Sequence, residues 1–323
     1  MTTSPWGFGI DRELRLVDEK LHEMVNSEEQ LLTDAALHVI DAGGKRIRPA
    51  VTILAYKALG GKDTEEIVNI AAGFELIHSA TLVHDDINDG GKTRRGKITV
   101  FKKFGLHNAV VAGDFLFVKA FALGGLYDKT VVSTTADACA KLAEGEILQS
   151  RFRHTQDLSV DRYVQIMERK TAEPLKAGAM VGAYLAGGKA EEIQSMGAYG
   201  LNLGIAFQII DDILDFTGSE AKTGKAPGSD LSEGYLTLPS LLAAKISAEA
   251  REAVMNLVEM EAPSPEAIKR ATELVVRSGA IEKAKGMGEY YGMEALQSLG
   301  SISNNEHSQA LRDLVRKVLD RDS

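Results

Sequence analysis

Cysteine is almost absent from this chain of 323 residues, which contains only Cys139. One cysteine excludes an intrachain disulfide framework and any cysteine-rich zinc site, so a reducing compartment is expected. A basic excess is also missing, because 46 Asp and Glu against 37 Lys and Arg give a net charge of −9. Proteins that bind nucleic acids generally need a basic face, so no nucleic acid is expected as a partner.

Long hydrophobic runs are lacking as well. No stretch of about 18 uncharged apolar residues occurs, so the sequence predicts no integral membrane segment. The N-terminus lacks a basic region followed by an apolar one, so no secretory signal is expected and the predicted location is cytoplasmic. The hydrophobic fraction of 44% and the charged fraction of 26% are ordinary for a soluble globular protein.

Proline is scarce, with seven residues, and few stretches alternate β-branched and polar residues, which leaves little room for a β-sheet. The best strand candidate is "VVSTT" at 131–135. Elsewhere apolar residues recur at the spacing of amphipathic helices, and glycine-rich segments such as "DAGGKRIRP" separate them. No segment is long and polar enough to link two domains. The sequence predicts an all-α helical bundle forming a single domain over residues 1–323.

Two aspartate-rich motifs, "HDDIND" and "IDDILD", stand at the ends of apolar helical stretches. Residues four apart on a helix are separated by about 40° around the axis and about 6 Å along it. Asp85 and Asp89 therefore share a face with the apolar stripe, as do Asp211 and Asp215. A single acidic cluster is as readily a solvated helix end. Two clusters in line with core stripes are harder to leave uncompensated, because buried like charges cost several kcal/mol unless they are paired or bind a metal.

Carboxylates without neighbouring His or Cys suit a hard divalent cation, and Mg²⁺ typically takes one or two carboxylates together with substrate phosphates. A calcium-binding EF-hand is the competing interpretation of "DDINDG". It fails, because a loop starting at Asp85 has Ile87 at its third position and Gly96 at its twelfth, where Glu is needed. The motifs therefore favour magnesium.

Cations are concentrated in or near glycine-rich loops, in "GGKRIRP", "KTRRG" and "TGKAPG", and in the helical "RKTAEP". Any single one is more often a solvated surface residue. Together with the acidic motifs they favour a diphosphate pocket, since a guanidinium bonds two phosphate oxygens at once. The cations of these segments are Lys45, Arg46, Arg48, Lys92, Arg94, Arg95, Lys170 and Lys225.

Two polar residues on the aspartate helices are ambiguous from spacing alone. His78 lies seven residues before Asp85 and shares its face, and Gln208 lies one turn before Asp212. A lone histidine on an apolar stripe is more often a satisfied core residue than a ligand. Both interpretations stay open on the residues themselves.

Taken together, the segments "GGKRIRP", "ELIHSATLVHDDINDGGKTRRG", "KTAEP", "GIAFQIIDDILDF" and "GKAPGSDLSEGYLTLP" resemble the trans-isoprenyl diphosphate synthases of the polyprenyl synthetase family. The resemblance covers about residues 40–245. It implies mostly antiparallel helices around a central cavity, a homodimer, and a Mg²⁺-dependent condensation of isopentenyl diphosphate with an allylic diphosphate. By the same resemblance, three Mg²⁺ ions bind in the substrate complex.

The resemblance also assigns roles to individual residues. The metal ligands would be Asp85, Asp89 and Asp211, and Asp212 and Lys170 join them as catalytic residues. Arg94, Lys170, Thr171, Gln208 and Lys225 would hold the allylic diphosphate. Lys45, Arg48, His78 and Arg95 would hold isopentenyl diphosphate, which moves His78 from the core to the ligands.

The expected reaction ionises the allylic C–O bond to a carbocation, which the double bond of isopentenyl diphosphate attacks. No side chain is an obvious general base, so the proton is expected to leave to the released diphosphate. Lys170 and Thr171 also supply dipoles to the cation. One position departs from the family pattern, since Tyr235 replaces a lysine found in many relatives, and we omit it from the binding residues.

Product length is expected to depend on the helix before the first aspartate motif. Short-chain members carry aromatic residues four or five positions before the first Asp, whereas this chain has the small Thr81 and Ala80. Each turn adds about 5.4 Å, roughly one isoprene unit. Ile77 or Phe74 is then the first side chain large enough to form the floor of the cavity that holds the growing product. This predicts a product of C25 or longer, with C20 as the alternative. Ala80→Phe is expected to shorten the product. Such a product permits transient contact with a membrane.

Two other functions compete with a synthase. Class I terpene cyclases share the first motif, but they usually carry an Asn/Asp–Ser/Thr–Glu metal motif in place of "DDILD" and would not need the Lys45 and Arg48 loop. A non-catalytic partner subunit of a heteromeric synthase is the second rival. Such a subunit would be expected to have lost an aspartate motif or the arginines, and all are present here.

Overall fold

The computed structural model describes residues 8–218 and 226–321, and within these ranges the chain is all-α apart from one small hairpin. The first ten helices are α1 (Asp11–Met24), α2 (Gln30–Ile40), α3 (Ile47–Ala58), α4 (Thr64–Asn88), α5 (Val100–Phe104), α6 (Leu106–Gly124), α7 (Lys129–Arg151), α8 (Val160–Met167), α9 (Glu173–Leu185) and α10 (Ala190–Thr217). The remaining six are α11 (Ser229–Ser232), α12 (Leu238–Ile246), α13 (Ala248–Val258), α14 (Pro265–Arg277), α15 (Ala280–Ser298) and α16 (Glu306–Leu319). A π-helical turn (Glu168–Ala172) joins α8 to α9, and a 3₁₀ turn (Leu299–Ser301) follows α15.

Local sequence sets both ends of α4, the helix that carries the first aspartate motif. At its start, the Asp63 side chain accepts hydrogen bonds from the backbone N–H groups of Glu65 and Glu66. At its end, Asp89 is the last near-helical residue and Gly90 has a φ of +66°, which favours glycine. The motif therefore lies in the last turn of α4, just before the chain reverses.

The best strand candidate, at 131–135, is helical, because these residues lie inside α7. Val131 is buried there against apolar neighbours, and such tertiary packing overrides the modest strand preference of β-branched residues. The strands that do form were not predicted. Thr93–Arg94 (β1) and Lys97–Ile98 (β2) pair antiparallel around a two-residue turn at 95–96 with positive φ values of +52° and +74°, a type I′ turn.

The helices group into two compact units, each drawn from three separate stretches of the chain. Unit 1 comprises the described residues within Met1–Cys139, Pro174–Gly200 and Leu299–Asp313. Its helix α4 packs along α6 and also contacts α1 and α3. One buried apolar cluster of unit 1 consists of Ile70, Phe74, Val131, Ala138, Ala177 and Val181.

Unit 2 comprises the described residues within Ala140–Glu173, Leu201–Ser298 and Leu314–Ser323. Its core is a large apolar cluster to which the second half of α10 contributes Ile209, Ile210 and Ile213. Helices α12 to α15 pack on one another around this cluster. The single-domain organisation over residues 1–323 stays a prediction.

Two helices of unit 1 have the length and hydropathy of a membrane span, which the sequence analysis did not anticipate. The apolar window of α4 is 72% buried within the chain, as expected for a core helix. That of α6 is only 33% buried. Helix α6 exposes 40% of Val110, 64% of Val118 and 44% of Phe121. Length and composition alone are weak evidence for a span.

Candidate active site

The first aspartate motif presents two of its three carboxylates to solvent. Asp85 lies in the last turn of α4 and Asp89 at its C-cap, and both are partly exposed. Asp86 is buried. The buried carboxylate accepts a 2.8 Å hydrogen bond from Nε of Arg94 on β1. The sequence assigned Arg94 to a diphosphate and did not anticipate this ion pair. It anchors the hairpin to the end of α4.

The four residues expected to hold isopentenyl diphosphate lie in unit 1. Lys45 and Arg48 flank the start of α3, His78 lies on α4, and Arg95 occupies the hairpin turn. The Arg95 guanidinium lies against Gly44, where an added Cβ would approach Nη1 to 2.5 Å. The glycine therefore allows the cationic loop and the hairpin to approach closely.

The pKa of His78 reflects its burial and the nearby cations. Burial of its imidazole lowers its pKa well below the ordinary value, and the nearby guanidinium groups of Arg48, Arg95, Arg94 and Arg46 lower it further. Part of the residue stays accessible to solvent. His78 is therefore a neutral hydrogen-bonding group among cations, an environment suited to an anion such as a diphosphate.

The second aspartate motif lies on α10 in unit 2, and its three carboxylates have different surroundings. Asp211 is partly exposed, with Oδ1 2.7 Å from Nη1 of Arg321, whose guanidinium also stacks on Phe207. Asp215 accepts hydrogen bonds from the Ser229 hydroxyl (2.5 Å) and the backbone N–H of Asp230 (3.3 Å). The short helix α11 is thereby attached to the motif.

Asp212 is buried and forms the centre of a hydrogen-bond network. Its Oδ2 accepts a 2.6 Å bond from the Tyr163 hydroxyl, and its Oδ1 accepts a 2.8 Å bond from the Gln208 amide. The Gln208 carbonyl in turn accepts a 3.0 Å bond from the Thr171 hydroxyl. The pKa of Asp212 is raised to about 7, chiefly by burial. The hydrogen bonds from Tyr163 and Gln208 lower this pKa, and the nearby negative charges of Asp211 and Asp215 raise it. The structure thus brings together three residues predicted for the site, Thr171, Gln208 and Asp212.

Lys170 and Thr171 lie on the π-helical turn, a local distortion often found at functional sites. Lys170 Nζ is 2.5 Å from Glu146 Oε2 and donates to Gln149 Oε1 at 2.8 Å. Gly145 permits the close approach of α7, because a Cβ there would lie 2.8 Å from the backbone nitrogen of Lys170. These neighbours fix where the ammonium group lies.

Lys225, the remaining predicted ligand of the allylic diphosphate, lies outside the described residues. At Tyr235, which was omitted from the binding residues, the guanidinium carbon of Arg153 is 5.1 Å from the ring centroid. Arg153 Nε also donates to the carbonyl of Glu233. A cation is therefore present beside the tyrosine, although it comes from another part of the chain.

The residues proposed to limit product length lie along α4 in unit 1. Ile77 and Phe74 are each 3% exposed and Ala80 is fully buried, whereas Thr81 is partly exposed. Thr81 is therefore the small residue nearest Asp85 that still has accessible surface. The Phe74 ring faces Gly178 on α9, where an added Cβ would contact it at 3.7 Å. It belongs to the buried cluster that includes Val131 and Val181.

Each acidic motif offers carboxylate oxygens, which are the ligands that divalent cations such as Mg²⁺ prefer. Within residues 8–218 and 226–321, no group of three or more His, Cys, Asp or Glu residues is arranged to hold a metal ion alone. Partly exposed carboxylates such as Asp85 and Asp89 suit Mg²⁺, which commonly keeps water and phosphate ligands. The donor set therefore agrees with a magnesium–diphosphate site.

A family model described as polyprenyl synthetase matches residues 29–275. The chain belongs to the polyprenyl synthetase family. It is 36% identical over 314 residues to the heptaprenyl diphosphate synthase component 2 of Geobacillus stearothermophilus, covering 97% of each sequence. It is 33% identical over 314 residues to a short chain isoprenyl diphosphate synthase of Methanothermobacter thermautotrophicus, covering 95% of this chain and 96% of the relative.

A solved structure gives the same result. The polyprenyl synthase of Caulobacter crescentus, complexed with calcium and isoprenyl diphosphate, matches with a TM-score of 0.92 and 34% identity. The match covers 97% of this chain and 96% of that one. The resemblance to trans-isoprenyl diphosphate synthases, the all-α isoprenoid synthase fold and the assignment as a prenyltransferase enzyme are thereby confirmed.

Several residues that contact the predicted site were not found from the sequence. They are Tyr163, Glu146, Gln149 and Arg321. None lies within an aspartate motif or a glycine-rich cationic loop. A weak signal existed in "EGEILQ", where Glu146 and Gln149 are three residues apart and so share a helix face.

Proposed function

We propose that this polyprenyl synthetase family member condenses isopentenyl diphosphate with an allylic diphosphate and repeats the step to an all-trans product of C25 or longer. The observation that carries the proposal is the environment of His78, which lies seven residues before Asp85 on the same helix. Burial and the positive charge of four arginines lower the pKa of His78, and such a cationic environment is suited to a second diphosphate in addition to the metal-bound one. Terpene cyclases ionise one diphosphate and do not need such a site.

Asp85, Asp89 and Asp211 are the proposed ligands of three Mg²⁺ ions. When bound, these ions supply positive charge that stabilises the departing diphosphate. The support is the donor chemistry: the carboxylates are partly exposed, and the neighbouring His84 lies against α6, with its Nε2 3.6 Å from Asp114 Oδ1. Asp212 has a different proposed role, because it is buried and bonded to Tyr163 and Gln208. It holds Gln208 in place.

The other side chains bind and orient the substrates. Lys170, Thr171, Gln208, Arg94 and Lys225 are proposed to bind the allylic diphosphate. Lys170 keeps a fixed ammonium position through Glu146 and Gln149, and Thr171 keeps a fixed hydroxyl through Gln208. The ammonium group is proposed to bind the diphosphate, whereas the backbone dipole of Lys170 and the hydroxyl dipole of Thr171 are proposed to stabilise the allylic cation where positive charge develops. The released diphosphate is the proposed acceptor of the proton lost after attack.

The small Thr81 supports a product longer than C20. From Asp85 to Phe74 the helix rises by about 16 Å, at about 1.5 Å per residue. Phe74 is held in a buried cluster with Gly178 behind it, so it is the proposed floor. Among the relatives above, one is named for a heptaprenyl product and one for a short chain, and the absence of an aromatic residue at 80 or 81 favours the longer product here.

We place the enzyme in the cytoplasm as a homodimer. The exposed face of α6, formed by Val110, Val118 and Phe121, is the proposed contact with a second copy. Light scattering is expected to give twice the chain mass, and Val118→Glu is expected to give the monomer. A monomeric wild-type protein would instead favour a heteromeric partner, a possibility raised by the "component 2" in the name of one relative.

The activity is tested in three reactions that contain purified protein, Mg²⁺ and radiolabelled isopentenyl diphosphate. Each reaction receives one allylic primer: geranyl, farnesyl or geranylgeranyl diphosphate. Incorporation into an acid-stable apolar product is expected with at least one primer and is expected to stop with EDTA. Absence of incorporation with every primer would favour the non-catalytic subunit.

A further inference from the structure

Arg46 adopts an unusual backbone conformation in the middle of a binding loop. Its φ of +50° and ψ of +38° are left-handed, at the residue that precedes α3. A residue with a Cβ pays roughly 1–2 kcal/mol for this conformation, so tertiary contacts must hold it. Lys45 precedes it and Arg48 follows two residues later, and both are proposed ligands of isopentenyl diphosphate.

The Arg46 side chain supplies those contacts to three helices of unit 1. Nε donates to Asp18 Oδ1 on α1 at 3.0 Å, and Nη1 donates to Glu75 Oε1 on α4 at 2.6 Å. Nη2 donates to the carbonyl of Ile40, the last residue of α2, at 3.3 Å. The side chain is 13% exposed and that of Glu75 is 4% exposed. Because each guanidinium nitrogen already has a protein acceptor, Arg46 is not organised to bind a diphosphate.

Glu75, the partner of Arg46, also lies close in sequence to His78. It lies one helical turn before His78 on α4, so the two residues share a face. The loop that Arg46 holds also contains Gly44, against which the Arg95 guanidinium lies. A change in the Arg46 turn would therefore displace Lys45 and Arg48 directly and Arg95 through Gly44.

We propose that Arg46 is a positioning residue for the isopentenyl diphosphate site, and that its ion pair with Glu75 fixes the turn that presents Lys45 and Arg48. The proposal rests on the proposed function for the identity of the ligand. It assigns to Arg46 a role different from its neighbours in "GGKRIRP": they bind the substrate, and it holds the loop.

The test compares Arg46→Gln and Glu75→Gln with the wild-type enzyme in steady-state kinetics. The KM for isopentenyl diphosphate is expected to rise about tenfold or more. The KM for the allylic substrate and the kcat are expected to change by less than about threefold, because the substitution moves the binding loop of only one substrate. Arg46→Lys is expected to recover part of the loss, since an ammonium can reach one carboxylate but lacks the planar fork that bonds two.

Lys57→Gln is the matched control. Lys57 on α3 pairs with the buried Glu13 on α1 at 2.7 Å, with side-chain exposures of 22% and 6%, and lies away from the loop. Its loss is expected to lower the melting temperature without changing the KM for isopentenyl diphosphate. The proposal is overturned if Arg46→Gln behaves like Lys57→Gln, or if it raises both KM values equally. If Arg46→Gln does not fold, the same comparison with Arg46→Lys decides.

Calorimetry separates failure of this proposal from failure of the proposed function. Isopentenyl diphosphate is titrated into the wild-type and Arg46→Gln proteins without a primer. If the wild-type protein neither incorporates nor binds isopentenyl diphosphate, both proposals fail. If it binds and Arg46→Gln binds equally well, only the positioning role is wrong.

Discussion

The Tyr163 hydroxyl donates a 2.6 Å hydrogen bond to the buried Asp212 carboxylate, which also accepts from Gln208. Tyr163 is 1% exposed and 49 residues away from its partner in sequence. This bond links the core of unit 2 to the second aspartate motif. It explains how a motif of acidic residues includes one carboxylate that does not face solvent.

Replacing Tyr163 with Phe is expected to lower kcat and to cost about 1–3 kcal/mol of stability, because one oxygen of a buried carboxylate loses its donor. The control is Tyr199→Phe, since Tyr199 is equally buried and its hydroxyl donates to the backbone carbonyl of Leu311 at 2.8 Å. Both variants are expected to lose stability in urea denaturation, and only Tyr163→Phe to lose turnover. Equal effects on kcat would show that the bond is merely structural.

Asp85→Asn tests the proposed metal ligands. The substitution keeps the size of the side chain and removes its charge, so it is expected to lower kcat by about 10²–10³, the magnitude typical of losing one electrostatic group at a reacting centre. The magnesium concentration for half-maximal rate is expected to rise. Asp114→Asn on α6, with a side chain 67% exposed, is the control and should change neither quantity. A normal magnesium dependence in Asp85→Asn would remove it from the ligand set.

The lowered pKa of His78 predicts a pH dependence of stability. A histidine whose pKa in the folded state lies below its ordinary value of 6.5 binds fewer protons folded than unfolded. Its contribution to stability is therefore complete above about pH 6.5 and is lost as the pH falls further. In EDTA, the free energy of unfolding is expected to drop less between pH 7.5 and 5.5 in His78→Gln than in the wild type.

His22 provides a control of opposite sign for that measurement. A backbone hydrogen bond to the Asp18 carbonyl, and then the Asp41 carboxylate, raise the pKa of His22. Its contribution is present below pH 6.5 and is lost as the pH rises. His22→Gln should therefore increase the drop on acidification. An identical drop in wild type and His78→Gln would mean that His78 titrates normally.

Product length is expected to change in opposite directions at two positions of α4. Thr81→Phe places a ring one turn before Asp85 and should shorten the product to C20 or less. Phe74→Ala should lengthen it, although emptying a buried aromatic site costs about 3–5 kcal/mol of stability. Products are dephosphorylated and sized by reversed-phase chromatography.

Ala80→Phe is a poorer test than the sequence suggested, because Ala80 is fully buried and a ring would overpack the core. Unchanged products in both Thr81→Phe and Phe74→Ala would contradict the α4 account of length.

The parts of the site that the sequence predicted depend on short-range geometry. The shared face of Asp85 and Asp89 follows from helix periodicity alone. The strand candidate at 131–135 is helical because burial of Val131 decided the local structure. The hairpin turn at Arg95–Gly96 was missed because its strands are only two residues long.

Partners distant in sequence could not be deduced. Arg46 and Glu75 are 29 residues apart, and Tyr163 and Asp212 are 49 apart. Periodicity says which residues share a face of one helix, but not which face another helix meets. The burial of Asp86 and Asp212 within acidic motifs was hidden for the same reason, since their partners Arg94 and Tyr163 approach from other elements.

Long-chain synthesis is tested by the length of the product that the purified chain makes alone, with Mg²⁺, farnesyl diphosphate and an excess of isopentenyl diphosphate. We expect a dominant product of C25 or longer after dephosphorylation, with C20 only as a passing intermediate. A reaction that stops at C20 with isopentenyl diphosphate remaining, or no reaction at all, would contradict it.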